Sequence, residues 1–142
     1  MADYNKIGLL ILNADKTKFL VCEPGKSYIS DKPIRQYLMP GGQLMERNDI
    51  ECLQNEIKEE LNCDIDITAL ILLGEYEDQA ATPGKTVMIR LYRGQVIGTP
   101  TASTEIGALH WIGSQDIGND NVSPIIRNKI IPDLLERKII TQ

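Results

Sequence analysis

A Pro40-Gly41-Gly42 turn followed by a helical stretch carrying Glu56, Glu59 and Glu60 constrains this 142-residue chain more than any other feature. Positions three and four apart project from the same side of a helix, so Glu56 can share a small volume with Glu59 and with Glu60. Carboxylates held together repel and raise one another's pKa, and a hard divalent cation such as Mg²⁺ or Mn²⁺ is the usual relief. The alternative is a solvated acidic helix face. The spacing predicts a helix from Asp49 to about Leu61, with Asn48 as N-cap, Glu51 at N3 completing a capping box, and Asn62 ending it in a left-handed conformation. Ile50, Leu53, Ile57 and Leu61 form its apolar stripe, with the acidic trio to one side. Upstream, Gln36-Tyr37-Leu38-Met39 reads as a short strand running into the turn, where glycine permits tight curvature and close approach of the main chain to a ligand.

The segment GGQLMERNDIECLQNEIKEELNC resembles the box of the Nudix hydrolases, of MutT-like type, which reads Gly, five residues, Glu, seven residues, Arg-Glu-apolar-x-Glu-Glu-x-Gly-apolar. Counted from Gly41, the matches are Gly41, Glu56, Ile57, Glu59 and Glu60. Arg47 stands where the first Glu belongs, Asn55 replaces the Arg, and Asn62 replaces the second Gly. The last change is mild, because Asn tolerates positive φ. Counted from Gly42, the loop is one residue short and Glu46 approximates the missing acid, and both registers stay open. The resemblance implies that Glu56, Glu59 and Glu60 hold Mg²⁺ or Mn²⁺ with the Gly41 carbonyl as a weaker ligand, and that the general base is Glu56 or Glu105.

The resemblance extends over most of the chain. Residues 7–12, a polar turn at 13–16 and residues 18–22 resemble the family's opening β-hairpin. Leu72 to Gln79 and Thr86 to Val96 are strand-like around a Thr82-Pro83-Gly84-Lys85 turn. Glu105, followed by His110-Trp111, resembles the family's acidic residue ahead of a Trp-led strand, with Trp111 expected in the core. Ser123-Pro124 opens a closing helix of about a dozen residues that Pro132 should kink. The implied fold is α/β, a Nudix-type α/β/α sandwich with a mixed sheet and flanking helices, spanning residues 1–142 as a single domain.

A chain with 42% apolar content and this length is expected to bury roughly two-thirds of its unfolded surface in one core. It has no apolar run near the length of a membrane span and no signal-peptide pattern, which points to a cytoplasmic protein. Cys22, Cys52 and Cys63 lack metal-finger spacing and read as small apolar residues. A net charge of −5 argues against nucleic-acid binding, since neutralising backbone phosphate takes a basic face. A small phosphorylated ligand remains compatible, because a bound cation inverts the local sign. Arg35 and Arg47, with Lys26 and Lys32, flank the glycine turn as candidate phosphate contacts, or as solubilising surface. A lone His110 without a nucleophile motif reads as a strand residue and argues against a catalytic triad. The resemblance therefore implies a Mg²⁺- or Mn²⁺-dependent nucleotide pyrophosphohydrolase that cleaves a nucleoside diphosphate linked to another moiety, most simply a nucleoside triphosphate. Arg47 and Asn55 favour the alternative, a degenerate Nudix domain that binds a nucleotide without cleaving it. The expected partner is a small-molecule nucleotide, with no nucleic acid or membrane, and a homodimer is left open.

Overall fold

The computed structural model describes residues 2–25, 36–45, 48–103 and 106–142. Strand β1, Tyr4–Ile11, is buried on both faces over its second half, as its unbroken apolar run requires. It pairs antiparallel with β3, Gly41–Gln43, and parallel with β6, Thr86–Gly94. Strand β5, Ile71–Gln79, completes a mixed four-stranded sheet in the order β3-β1-β6-β5. Between β5 and β6 the expected turn forms, with Gly84 at φ +78° and the Ala80 N–H bonded to the Lys85 carbonyl. A second, two-stranded sheet pairs β2, Lys18–Pro24, with β8, Ile106–Gly113. A third joins β4, Asp64–Ile65, to β7, Val96–Ile97.

Two expectations about strands are corrected. Strands β1 and β2 do not form a hairpin ladder; they enter different sheets, and only a Leu12–Phe19 bridge and the Asn13 N–H to Lys18 carbonyl bond join them. The turn between them is nevertheless local, since Asn13 Oδ1 accepts the N–H groups of both Thr17 and Lys18. Residues 36–39 contribute only bridges, Leu38 to Cys22 and Tyr37 to Val122, and the strand lies on the glycines themselves.

Helix α1, Asp49–Leu61, has the expected bounds. Asn48 accepts from the Ile50 N–H, and Asn62 closes the helix at φ 56°. The capping box expected with Glu51 does not form, since Asn48 accepts from Ile50 rather than from Glu51; Asp49 binds Arg90 Nη1 at 3.0 Å and the Tyr92 hydroxyl, tying the first turn to β6. The buried face is Cys52, Leu53, Ile57 and Leu61, while Ile50 lies at the surface. This face packs with Ile7, Leu9 and Ile11 of β1 into one cluster. On the other side of the sheet, Leu10, Val87, Ile89 and Leu91 pack with Ile126, Ile130 and Leu134. The molecule is thus an α/β/α sandwich.

The closing helical segment begins after Ser123 and contains a π-helical turn, Ile126–Ile130, before helix α2, Ile131–Glu136. Pro132 explains the widening. It has no N–H to give to residue 128, its ring crowds that carbonyl, and the Ile131 N–H reaches back to the Ile126 carbonyl instead. Trp111 is the second correction of side-chain placement after Ile50: it lies on β8 with 45% of its surface exposed, outside the core.

Candidate active site at the glycine turn

Gly41 can only be glycine. Its φ is +147°, and a Cβ there would sit 2.0 Å from the Ile7 carbonyl oxygen, because β3 presses directly against β1. The N–H of this residue donates to Glu60 Oε1 at 2.7 Å, which fixes the carboxylate of the helix against the turn. Gly42 meets a different constraint. A Cβ on it would lie 2.2 Å from the Glu56 carboxyl carbon, so the missing side chain is the space that Glu56 occupies. Consecutive glycines therefore receive two carboxylates one helical turn apart. The Cys52 Sγ–H donates to the Gln43 carbonyl at 3.3 Å and adds a direct link from α1 to β3.

Glu59 behaves differently. Taking about 100° per residue, Glu60 and Glu56 fall nearest to the buried stripe centred on Ile57 and Glu59 falls farthest from it. Accordingly Glu56 and Glu60 are half-buried and Glu59 is exposed. Among the described residues no three His, Cys, Asp or Glu side chains gather closely enough to hold a metal ion. Two carboxylates at a glycine turn still suit Mg²⁺, which keeps several waters and takes one or two carboxylates alongside substrate phosphate oxygens. The donor set is hard oxygen throughout and fits that ion. The neighbouring Cys22 thiol is pushed up to about 12 by burial, with the negative charge of Glu60 adding to it, and it stays protonated.

A cleft of about 490 Å³ opens beside these glycines. Gly41, Gly42 and Glu60 lie along it, together with Lys6 of β1, Val87 and Ile89 of β6, and Ser123 and Ile125 at the start of the closing helix. Its walls are mainly apolar, as suits a site that orients a ligand with a few polar groups. The far side of α1 is also tied in. Its last carbonyls accept from Thr101 and Ser103, the latter bonding the Glu60 carbonyl at 3.0 Å, so residues 101–103 are anchored to the end of the acidic helix.

The sequence matches no family profile and no curated protein. Solved structures do match. A MutT protein from Methanosarcina mazei Go1 aligns at 17% identity over 95% of this chain and 94% of its own, with a TM-score of 0.69. A NUDIX hydrolase from Nitrosomonas europaea aligns at 19% identity over 95% and 87%, with a TM-score of 0.64. A bifunctional NMN adenylyltransferase/ADP ribose pyrophosphatase from Francisella tularensis aligns at 19% identity over 94% of this chain and 40% of that one, with a TM-score of 0.63. The chain has the Nudix fold. Identities this low speak for the fold alone.

Within the Nudix fold, Glu60 bonds Gly41, Glu56 lies against Gly42, and Glu59 is exposed on α1. Arg35, Lys26, Lys32, Glu46, Arg47 and Glu105 lie outside the described residues. Asn55, where the box has Arg, is exposed on α1. Sequence reasoning missed Lys6 and Ser123 as cleft residues. No local signal marks Lys6, and Ser123 was legible only as a helix start. It also missed the Asp49–Arg90–Glu75 chain, in which Arg90 Nε holds Glu75 at 3.0 Å and so spans β5, β6 and the first turn of α1.

Proposed function

We propose that the chain is a divalent-cation-dependent hydrolase of a nucleoside diphosphate linked to another moiety, with a nucleoside triphosphate as the simplest substrate. The observation that carries this reading is the seating of two carboxylates, Glu56 and Glu60, on consecutive glycines that line a mainly apolar cleft. The Gly41 N–H holds Glu60 in place, the bare Cα of Gly42 lets Glu56 approach, and Glu59 faces solvent. Mg²⁺ or Mn²⁺ bound there would polarise the phosphoryl oxygens and neutralise their charge. The protein's own part is to hold Glu56, Glu59 and Glu60 as ligands, to exclude water along the apolar wall, and to take a proton at Glu56 or at Glu105. Arg47 and Arg35 are the cations for the phosphate chain, and the nucleoside occupies the cleft.

The names of the structural neighbours support a nucleotide substrate, including the ADP ribose pyrophosphatase activity for which the Francisella protein is named. No helix among the described residues is long and apolar enough to cross a membrane. One specific observation favours the second reading, a domain that binds nucleotide without cleaving it. Asn55 leaves α1 without the box cation next to Glu56. Release of phosphate and pyrophosphate from a panel of NTPs, dinucleoside polyphosphates and ADP-ribose, with Mg²⁺, Mn²⁺ and EDTA, decides between them. Turnover abolished by EDTA is expected; no cleavage of any member, with one of them raising the melting temperature, would establish the binding domain.

A further inference from the structure

Asp49, Glu56 and Glu60 fall on one line along α1. At about 100° per residue, the seven steps from Asp49 to Glu56 end about 20° short of two turns, and the eleven to Glu60 end about 20° past three. All three are half-buried, and each meets the sheet. Glu60 takes the Gly41 N–H and Glu56 lies against Gly42, both on β3. Asp49 is held from β6. Arg90 Nη1 donates to its Oδ1 at 3.0 Å and to its Oδ2 at 3.2 Å, and the Tyr92 hydroxyl donates to Oδ2 as well.

The strand register ties the two ends of that line together. Gly42 pairs with Ile7, Ile7 with Arg90 and Arg90 with Glu75, so the glycine that admits Glu56 and the arginine that grips Asp49 share one row across the sheet. Tyr92 pairs with Leu9, whose N–H donates to the carbonyl of Pro40, the residue ahead of the glycines. Arg90 is itself braced, since its Nε donates to Glu75 Oε2 at 3.0 Å and leaves the planar guanidinium little room to swing. The apolar stripe of α1 decides which side of the helix is buried, but such contacts are non-directional and tolerate a small rotation or slide. The glycine seats tolerate less, because Glu60 is bonded at 2.7 Å and Glu56 fills the space of the missing Gly42 side chain.

We propose that Arg90 and Tyr92 are positioning residues for the site: by holding Asp49 they set the rotation and travel of α1, and so seat Glu56 and Glu60 on the glycines. The effect on a bound cation rests on the reading of these carboxylates as metal ligands, whereas the seating itself does not. Ion pairs at an open surface contribute little. Here three directed bonds converge on one carboxylate whose side chain is only 20% exposed.

The test is amide hydrogen exchange on the full chain with Gly41 as reporter, because its N–H bonds Glu60 directly. Arg90→Met and Asp49→Ala should each speed Gly41 exchange about tenfold more than they speed the buried amides of β2 and β8, which follow global stability. Tyr92→Phe should do so less, since Arg90 still holds Asp49. The double variant Arg90→Met/Asp49→Ala should match the single ones, as two partners in one interaction do. Calorimetric titration with Mn²⁺, run well below the melting temperature, should show affinity about tenfold weaker in Arg90→Met, the lower end of what a metal site loses with an outer support. Gly41 exchange that stays at the wild-type rate, or rises only in step with β2 and β8, reduces Arg90 to a stabilising ion pair and overturns the inference. Additive effects in the double variant overturn it as well, and so does Mn²⁺ bound equally tightly by wild type and Arg90→Met. A wild type that binds no Mn²⁺, with Gly41 still answering to Arg90→Met, would remove the metal-site reading and leave the positioning role standing.

Discussion

Gly42→Ala separates the placement of Glu56 from the stability of the fold. The added Cβ would lie 2.2 Å from Cδ and Oε2 of Glu56 and 2.7 Å from Oε1. Ordinary contact begins near 3.4 Å, so the carboxylate must retreat by the difference, about 1.2 Å. The atoms that move are the end of a flexible side chain, and Gly42 is not among the positive-φ glycines, so the fold absorbs the methyl cheaply. A cost below about 1 kcal/mol, or less than about 4 °C in melting temperature, is expected. Activity is a different matter, because a catalytic group misplaced by about 1 Å loses on the order of 100-fold in rate, equivalent to about 2.7 kcal/mol of activation free energy. Gly41→Ala is the contrasting variant. There the clash is with main chain, 2.0 Å from the Ile7 carbonyl oxygen, at φ +147°, and a loss of stability above about 3 kcal/mol is expected. The assay is kcat/KM for the best NTP with Mg²⁺, read beside thermal melts of both variants. Gly42→Ala with activity within about threefold of wild type, or with an activity loss matched by unfolding, would refute the role given to Glu56.

Glu60→Gln should weaken Mg²⁺ or Mn²⁺ binding and lower any turnover by about tenfold or more, and Glu59→Gln should do so less because Glu59 is exposed; calorimetric titration of the double variant with unchanged affinity would end the metal assignment. The Tyr92 hydroxyl is raised from 10.0 to about 12, by burial first and by its bond to Asp49 second. A phenol whose folded pKa is raised contributes stability below its unfolded pKa and loses it as pH climbs through the folded value, so Tyr92→Phe should flatten the fall in stability between about pH 10 and 12. An alkaline melt series that is identical in the two proteins would contradict that. Cys22, Cys52 and Cys63 are free and buried, and Ellman's reagent should label them only after denaturation; rapid labelling of the native chain would show that the interior is open.

Helix α1 was legible from sequence to the residue because its signals are local. Asn48 and Asn62 end it through their own side-chain and backbone conformations, and its stripe is a property of thirteen consecutive positions. The glycine turn was legible for the same reason, since only glycine meets the backbone approach there. The partners of strands were not. The apolar runs of β1 and β2 fit a hairpin, yet β1 pairs with β6, which lies some eighty residues away, and no local rule distinguishes these pairings. The site divides along the same line. Helical periodicity placed three carboxylates on one side of α1, but the packing of the Leu53–Ile57–Leu61 face against β1 chose which two of them meet the glycines. Lys6 and Ser123 come from opposite ends of the chain, and only the closing helix laid across the sheet brings both to one cleft. Short-range geometry thus determined the elements and the chemistry they carry, whereas long-range burial decided their pairing and the shape of the space between them.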